Sequence, residues 1–235
     1  MALPYFFIES LSDKTIQLDE DTSKHMIGVL RMTKGENVLL TDGKGQKARV
    51  EIIDDNRKRC AVQVQSIETE EESRPNVSIA ISIIKNSSRF EWFLEKATEI
   101  GVNEIIPLLC ERTEKEKFRY ERMNGILISA MLQSQQTRLP VLHQPMPFND
   151  VVKSSSQEEK LIAHCLPEKK QQLSFVISHP SSLILIGPEG DFTEKEISLA
   201  LENNFLPVAL GSTRLRTETA GIVAATLLKL PGKTQ

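Results

Sequence analysis

The sequence predicts two domains, a small β-barrel followed by an α/β domain with a largely parallel sheet, and three observations carry that prediction. Apolar residues alternate at period two over the first third of the chain, with glycine-bearing turns between the runs. After residue 75, apolar runs alternate with amphipathic helical segments. Between the two lies Glu68-Thr69-Glu70-Glu71-Glu72-Ser73-Arg74-Pro75, an acidic stretch without apolar periodicity that ends in a proline and divides residues 1–72 from 73–235.

In the first domain, strands are expected over residues 5–8, 15–18, 37–41, 47–53 and 60–67. Alternation is clearest in the last two, where Ala48, Val50 and Ile52, then Cys60, Val62 and Val64, share one face. Asp42-Gly43-Lys44-Gly45 and Asp54-Asp55-Asn56 are turn signals. Short strands joined this way close naturally into a small barrel. One helical break runs from Ser23 to Leu30, with Thr22-Ser23 ahead of Met26, Ile27, Val29 and Leu30.

In the second domain, Val77 to Ile84 reads as a buried strand, and Asn86-Ser87-Ser88 supplies cap residues for the next helix. That helix buries Phe90, Phe93, Leu94 and Ala97, and Gly101 closes it. Ile105 to Leu109 is a strand, and a helix from Tyr120 to Ser134 carries Met123, Leu127, Ala130, Met131 and Ser134 on one face. Residues 161–163, 183–186 and 208–210 are three further short strands.

A composition of 40% hydrophobic and 26% charged residues excludes a disordered chain. No segment approaches the roughly 18 consecutive apolar residues of a spanning helix. The apolar start Met1-Ala2-Leu3-Pro4-Tyr5-Phe6-Phe7-Ile8 has no basic leader and runs into Glu9, so a cytoplasmic location is expected. Cys60, Cys110 and Cys165 lack CxxC spacing, and His25, His143, His164 and His179 lack HxxxH or HExxH spacing, so no metal is expected. His25 is expected to pack or cap rather than to catalyse. The net charge of −3 hides a local excess: Lys24, Arg31, Lys34, Lys44, Lys47, Arg49, Arg57, Lys58 and Arg59 are opposed only by Glu36, Asp42, Glu51, Asp54 and Asp55. Charge alone does not separate an RNA surface from a mixed solvated one.

Two C-terminal segments carry chemistry. In Ile184-Leu185-Ile186-Gly187-Pro188-Glu189-Gly190-Asp191-Phe192-Thr193, a buried strand enters a glycine-bracketed turn, after which Thr193 and Glu196 form a capping box. Glycine lets a backbone approach a ligand closely, and ligands of parallel sheets sit at the carboxyl ends of the strands. In Val208-Ala209-Leu210-Gly211 through Thr219-Ala220, a strand ends at a glycine and a loop presents Arg214, Arg216 and Glu218 before a helix starting near Thr217. Ala220, Val223, Ala224, Leu227 and Leu228 give that helix a narrow face of small and apolar residues. Either segment alone reads as an ordinary turn or capped helix start; together, at the ends of consecutive strands, they are expected to be two walls of one pocket. No GxGxxG follows a strand, so neither a Rossmann dinucleotide site nor the common glycine-rich adenosylmethionine fold is indicated, and the Gly43-Lys44-Gly45 turn lacks the spacing and the Ser/Thr of a P-loop, so an ATPase is not expected.

With these residues in order, the sequence resembles the small-subunit (16S) ribosomal RNA uridine-N3 methyltransferase family, of the SPOUT class of knotted methyltransferases. The resemblance covers essentially the whole chain. It runs through His25-Met26-Ile27-Gly28-Val29-Leu30-Arg31 with Gly35, Lys85, Arg89, Glu95 to Val102, Glu111-Arg112 and Gln133-Ser134, and ends in Ile186 to Gly190, Leu210-Gly211 and Leu215 to Ala220. It implies an N-terminal PUA-like β-barrel that docks RNA, and a C-terminal α/β domain whose last segment threads a trefoil knot. It also implies S-adenosylmethionine as cofactor, ribosomal RNA in the small subunit as substrate, and a homodimer that completes the site. The cofactor residues implied are Leu185, Gly187, Pro188, Glu189, Gly190, Leu210, Gly211, Leu215, Arg216, Thr217, Thr219 and Ala220. Three positions depart from the usual pattern: Leu3-Pro4 where a basic residue is common, Asp191 for the last glycine of GPEGG, and Gln136 for an arginine, with Arg138 nearby.

Methylation at uridine N3 requires removal of a ring proton, hence an acceptor or an anion stabiliser. Arg216 is the candidate to stabilise the uracil anion or position phosphate, and Glu218 to orient it or accept the proton; Glu218 is also suited to the plain role of a first-turn acid favoured by the helix dipole. Arg31, Lys34, Lys44, Lys47 and Arg49 are candidate phosphate contacts, and the resemblance adds Arg89 and Arg112 to this RNA-binding set. Lys96 and Glu99 read as a surface pair at i, i+3. Two other readings stay open, a knotted methyltransferase for another RNA and an RNA-binding module without catalysis.

Overall fold

In the computed structural model, which describes residues 3–72, 74–114, 117–167, 170–177 and 180–230, the chain forms two units, Met1–Glu72 with Met131–Leu139, and Ser73–Ala130 with Pro140–Gln235. Met1, Ala2, Ser73 and His179, named above, lie outside the described residues.

The first unit contains β1 (Tyr5–Phe7), β2 (Thr15–Gln17), α1 (Glu20–Ser23), β3 (Asn37–Thr41), β4 (Gln46–Asp54) and β5 (Ala61–Thr69). Its sheet has the order β1-β3-β4-β5-β2, with β1 parallel to β3 and the other pairs antiparallel. Ala48, Val50 and Ile52 are fully buried, as period-two alternation requires, whereas Arg49 points outward. The helical break starts earlier than its apolar positions suggest, because the Asp19 carboxylate caps it by accepting the Thr22 N–H at 2.8 Å; a π-helical turn over Lys24–Val29 continues it. β5 also runs into the acidic stretch. Glu68 lies opposite Lys47 on β4, and the ammonium reaches its carboxylate at 3.3 Å, so cross-strand charge rather than apolar periodicity extends the strand.

Residues 131–139 belong to this first unit although they are remote in sequence. The Tyr5 hydroxyl donates to the Gln136 carbonyl at 3.1 Å, and the Thr137 hydroxyl to the Glu70 carboxylate at 2.7 Å. The Arg138 guanidinium donates to the carbonyls of Lys44 at 3.1 Å and Glu70 at 2.7 Å. A Cβ on Gly45 would stand 2.6 Å from Arg138 Nη2, so the glycine in this turn makes room for the arginine.

The second unit contains β6 (Asn76–Ser82), α2 (Ser87–Ile100), β7 (Glu104–Leu109), most of α3 (Tyr120–Gln133), β8 (Val141–Leu142), β9 (Met146–Pro147), α4 (Phe148–Ser154), β10 (Glu159–Ala163), β11 (Gln171–Gln172), α5 (Leu173–Val176), β12 (Ser181–Ile186), α6 (Glu194–Glu202), β13 (Leu206–Ala209) and α7 (Thr217–Lys229). The sheet order is β11-β13-β10-β12-β6-β7-β8, with β9 beside β7, and every pair is parallel. Helices cover both faces, which explains the continuous apolar runs of the central strands. One face buries Ala80, Leu183, Leu185 and Ile162 with Phe148, Val152, Phe192 and Ile197 of the α4 and α6 region. On the other face, Gly221 of α7 packs against Phe93 and Ile81.

The buried face of α7 differs from expectation. Thr217, Glu218, Gly221, Ala224, Ala225 and Leu228 are buried, while Ala220, Val223 and Leu227 are half-buried. Close packing on an aromatic ring selects the stripe that contains the glycine, rather than the stripe with the largest side chains.

Candidate functional site

Because the sheet is parallel, the loops after β6, β7, β10, β12 and β13 emerge at one edge. The loop after β12 turns at Pro188, whose carbonyl accepts the Asp191 N–H at 3.0 Å. Asp191 adopts a left-handed conformation with φ 64°, the kind of position where glycine is usual. Its carboxylate compensates by accepting the N–H groups of Cys165 at 2.8 Å and Phe192 at 2.9 Å. Gly187 fits against Phe192, whose ring would lie 3.1 Å from an added Cβ. Downstream, Thr193 and Glu196 complete the capping box of α6.

The loop after β13 passes through Gly211 and reaches α7 with Arg216 as its N-cap. The Thr217 hydroxyl donates to the Gly187 carbonyl at 3.0 Å and ties this loop to the first. The two segments line one cavity of about 300 Å³, with Gly187, Pro188 and Glu189 on one side and Leu215, Arg216 and Thr217 on the other. A second cavity of about 410 Å³ adjoins it through Ala163, Cys165, Arg214, Leu215 and Ala220, and extends to Leu210 and Gly211. Volumes of several hundred Å³ suit small-molecule sites.

β12 and β13 are not neighbours: β10 lies between them, so Ala163, His164 and Cys165 form a third wall. Sequence reading missed this wall, although the end of an apolar strand in a parallel sheet signals it. Lys170 lines the second cavity, its ammonium held by the carbonyl of His164 at 2.7 Å.

The candidate catalytic pair separates. Arg216 is exposed and lines the first cavity. Glu218 is 7% exposed, lines neither cavity, and presents its carboxylate 3.7 Å from Arg89 Nε. Of the cofactor candidates, Leu185 is fully buried in the sheet and Thr219 is exposed outside both cavities. Gly190 lines neither cavity, and its carbonyl accepts a bond from Arg112 Nη1 at 2.7 Å.

In the first unit, Arg31, Lys34, Lys44 and Arg49 are exposed, and Arg31 has φ 58°. Lys47 is instead ion-paired with Glu68 and Glu70 and only partly exposed, which removes it from a set of unpaired cations. His25 is exposed with its ring edge-on to Phe6 at 5.8 Å, not packed in the core. Lys96 pairs with Glu99 at 2.9 Å as a helical i, i+3 pair. Among the described residues, no group of His, Cys, Asp and Glu could hold a metal ion, and no helix is long and apolar enough to cross a membrane.

Residues 18–65 match the family profile of an RNA methyltransferase PUA domain, and residues 70–229 match that of the RNA methyltransferase domain. The chain belongs to the RNA methyltransferase family. The ribosomal RNA small subunit methyltransferase E of Synechocystis is 30% identical over 92% of this chain and 73% of its own length. Among solved structures, a probable rRNA-methyltransferase from Porphyromonas gingivalis is 38% identical over 95% of both chains, with a TM-score of 0.90. A ribosomal RNA small subunit methyltransferase E from Neisseria gonorrhoeae, solved bound to S-adenosyl methionine, is 30% identical over 95% of both chains, with a TM-score of 0.84. Both adjoining cavities fall within the stretch that matches the RNA methyltransferase domain.

Proposed function

We propose that this RNA methyltransferase transfers a methyl group from S-adenosylmethionine to N3 of a uridine in small-subunit (16S) ribosomal RNA, in the assembled subunit. The observation that carries the reading is the cavity shared by Gly187–Glu189 and Leu215–Thr217, at the strand edge where parallel sheets take ligands. The cofactor fits what lines it. Apart from its own chain neighbours, no described atom lies within 4 Å of where a Cβ on Gly211 would stand, so that backbone can face a ligand directly. Gly187, Pro188, Glu189, Leu210, Gly211, Leu215, Arg216, Thr217 and Ala220 are the contact residues in this reading, and Gly190 completes the bend beside them. Leu185, being buried, supports the wall from behind, and Thr219 lies at its margin.

The bound cofactor supplies an electrophilic methyl group on a sulfonium. Bond formation at N3 then requires the N3 proton to depart and negative charge to be stabilised on the uracil oxygens. Arg216, exposed in the cavity and always charged, is suited to that stabilisation. Glu218 is removed from the cavity and faces Arg89, which favours a positioning role through the arginine over direct proton transfer. On this reading Arg216→Ala lowers turnover by about 100-fold, as loss of an anion-stabilising donor does. Glu218→Gln produces a smaller loss with cofactor affinity retained.

The first unit serves as a PUA-like barrel for RNA, with Arg31, Lys34, Lys44 and Arg49 toward phosphate; the match of residues 18–65 supports this. A knotted terminus is supported by the insertion of β12 between β6 and β10 and by the return of α7 against Ile81 on β6. A homodimer is supported by Phe175 and Leu206, large apolar side chains left exposed. Action on ribosomal RNA implies the cytoplasm. Mass-spectrometric mapping of uridines in ribosomal RNA from a strain lacking the protein tests the function: loss of one N3-methyluridine is expected, and an unchanged map overturns it.

A further inference from the structure

Away from the cofactor walls, on the same strand edge, a separate cavity of about 300 Å³ opens between the start of α2 and the loop that leads into α3. It is lined by Ser87, Ser88, Glu91, Lys117, Arg119 and Arg122, so three cations face one carboxylate in a chain whose net charge is −3. Arg122 already holds that carboxylate, through Nε at 2.7 Å and Nη2 at 2.9 Å. Lys117 and Arg119 are exposed, and neither forms an ion pair with a described residue. Two positive charges with no ion-pair partner among the described residues, beside serine hydroxyls in a concave site, match the charge and hydrogen-bonding needs of a phosphate.

The surroundings favour RNA as the source of that phosphate. Trp92 is the single tryptophan of the chain, 44% exposed, and one helical turn beyond Ser88 on the same face of α2, where a base can stack. Arg89, the residue after Ser88, reaches Glu218 at the start of α7. A nucleotide strand held at this cavity therefore runs along the edge that carries the cofactor walls.

We propose that Lys117 and Arg119, with Arg122 fixed by Glu91, bind a backbone phosphate of the substrate RNA next to the methylated base. This rests on the reading of the protein as an RNA methyltransferase, and binding can be read independently of methyl transfer. The test compares the full-length protein with Lys117→Ala/Arg119→Ala, using fluorescence anisotropy of a short labelled single-stranded RNA across a salt series. Loss of two phosphate contacts is expected to reduce the slope of log affinity against log salt by about 1.4 and to weaken binding roughly tenfold at low salt. Calorimetric affinity for S-adenosylmethionine is expected to stay unchanged, because neither residue lines the cofactor cavities. Inorganic phosphate at matched ionic strength is expected to displace the RNA no better than chloride does. An unchanged slope overturns the proposal even if methylation proceeds. Displacement by free phosphate also overturns it, in favour of a small-anion site. A reduced slope in a protein that transfers no methyl leaves the cavity's role standing and defeats the functional reading instead.

Discussion

The Thr217 hydroxyl donates to the Gly187 carbonyl at 3.0 Å, so the first residue of the last helix holds the bend that follows β12. This contact joins the two cavity walls directly, between residues thirty positions apart. Thr217 is 5% exposed, and replacing its hydroxyl by a methyl leaves the carbonyl without that donor.

Thr217→Val is therefore expected to cost about 1 kcal/mol of stability, the usual worth of one such bond. Affinity for S-adenosylmethionine is expected to fall by roughly the corresponding factor of five to ten. Thermal unfolding and calorimetric titration measure the two. Unchanged cofactor affinity in a destabilised variant would show that the walls keep their spacing without this bond.

At Asp191, the left-handed backbone and the carboxylate do separate work. Asp191→Gly removes the conformational cost but deletes the acceptor for the Cys165 and Phe192 N–H groups. Asp191→Ala keeps the cost and also loses the acceptor. The alanine variant is expected to be less stable than the glycine variant by about 1 kcal/mol. Both are expected to bind the cofactor more weakly than the native protein, because the Cys165 loop loses its tether. Equal denaturant midpoints for the two variants would remove backbone conformation from the explanation.

Much of this arrangement was legible in the sequence because the signals are local. The Asn86 and Gly101 caps, the Thr193–Glu196 box and the apolar runs each fix an element from neighbouring residues. What escaped was set by distant partners. Nothing adjacent to Arg138 announces that it will cover Gly45, and nothing adjacent to Lys47 announces that strand register sets it opposite Glu68. Glu218 falls in the first turn of α7, as its place in the sequence implies, but its facing residue, Arg89, lies on another helix. The third wall at Ala163–Cys165 depended on sheet order, since β10 enters between β12 and β13 out of sequence.

Gly221 is where α7 approaches closest to its support. A Cβ there would lie 2.6 Å from Phe93 Cε2 and 2.9 Å from Ile81 Cδ1, and both side chains are buried. Gly221→Ala gains helix propensity of about 1 kcal/mol but incurs overpacking of about 1–3 kcal/mol. A net loss is expected, read as a lower Tm. Adding Phe93→Leu in the same chain is expected to recover part of it, so that the double variant is more stable than the two single losses predict. Strict additivity in that cycle would place the strain elsewhere.

The three cysteines differ in burial, and that difference predicts their reactivity. Burial pushes the Cys60 thiol up to about 11, with Asp54 and Asp55 adding to the shift. Burial, reinforced by Glu196, pushes Cys110 further up still. A raised thiol pKa means less thiolate at a given pH, so both are expected to resist maleimide at pH 8 in the folded protein. Cys165 is exposed and lines both adjoining cavities. It is expected to be the first modified, and saturating S-adenosylmethionine is expected to slow its modification several-fold by covering it. The same shift at Cys60 has a consequence for stability. The unfolded thiol ionises near 9 while the folded one keeps its proton to about 11, so stability is expected to fall as pH climbs through that window. Peptide mass mapping after timed labelling tests the order of reaction; prior labelling of Cys60 or Cys110 would contradict the burial that holds these thiols protonated.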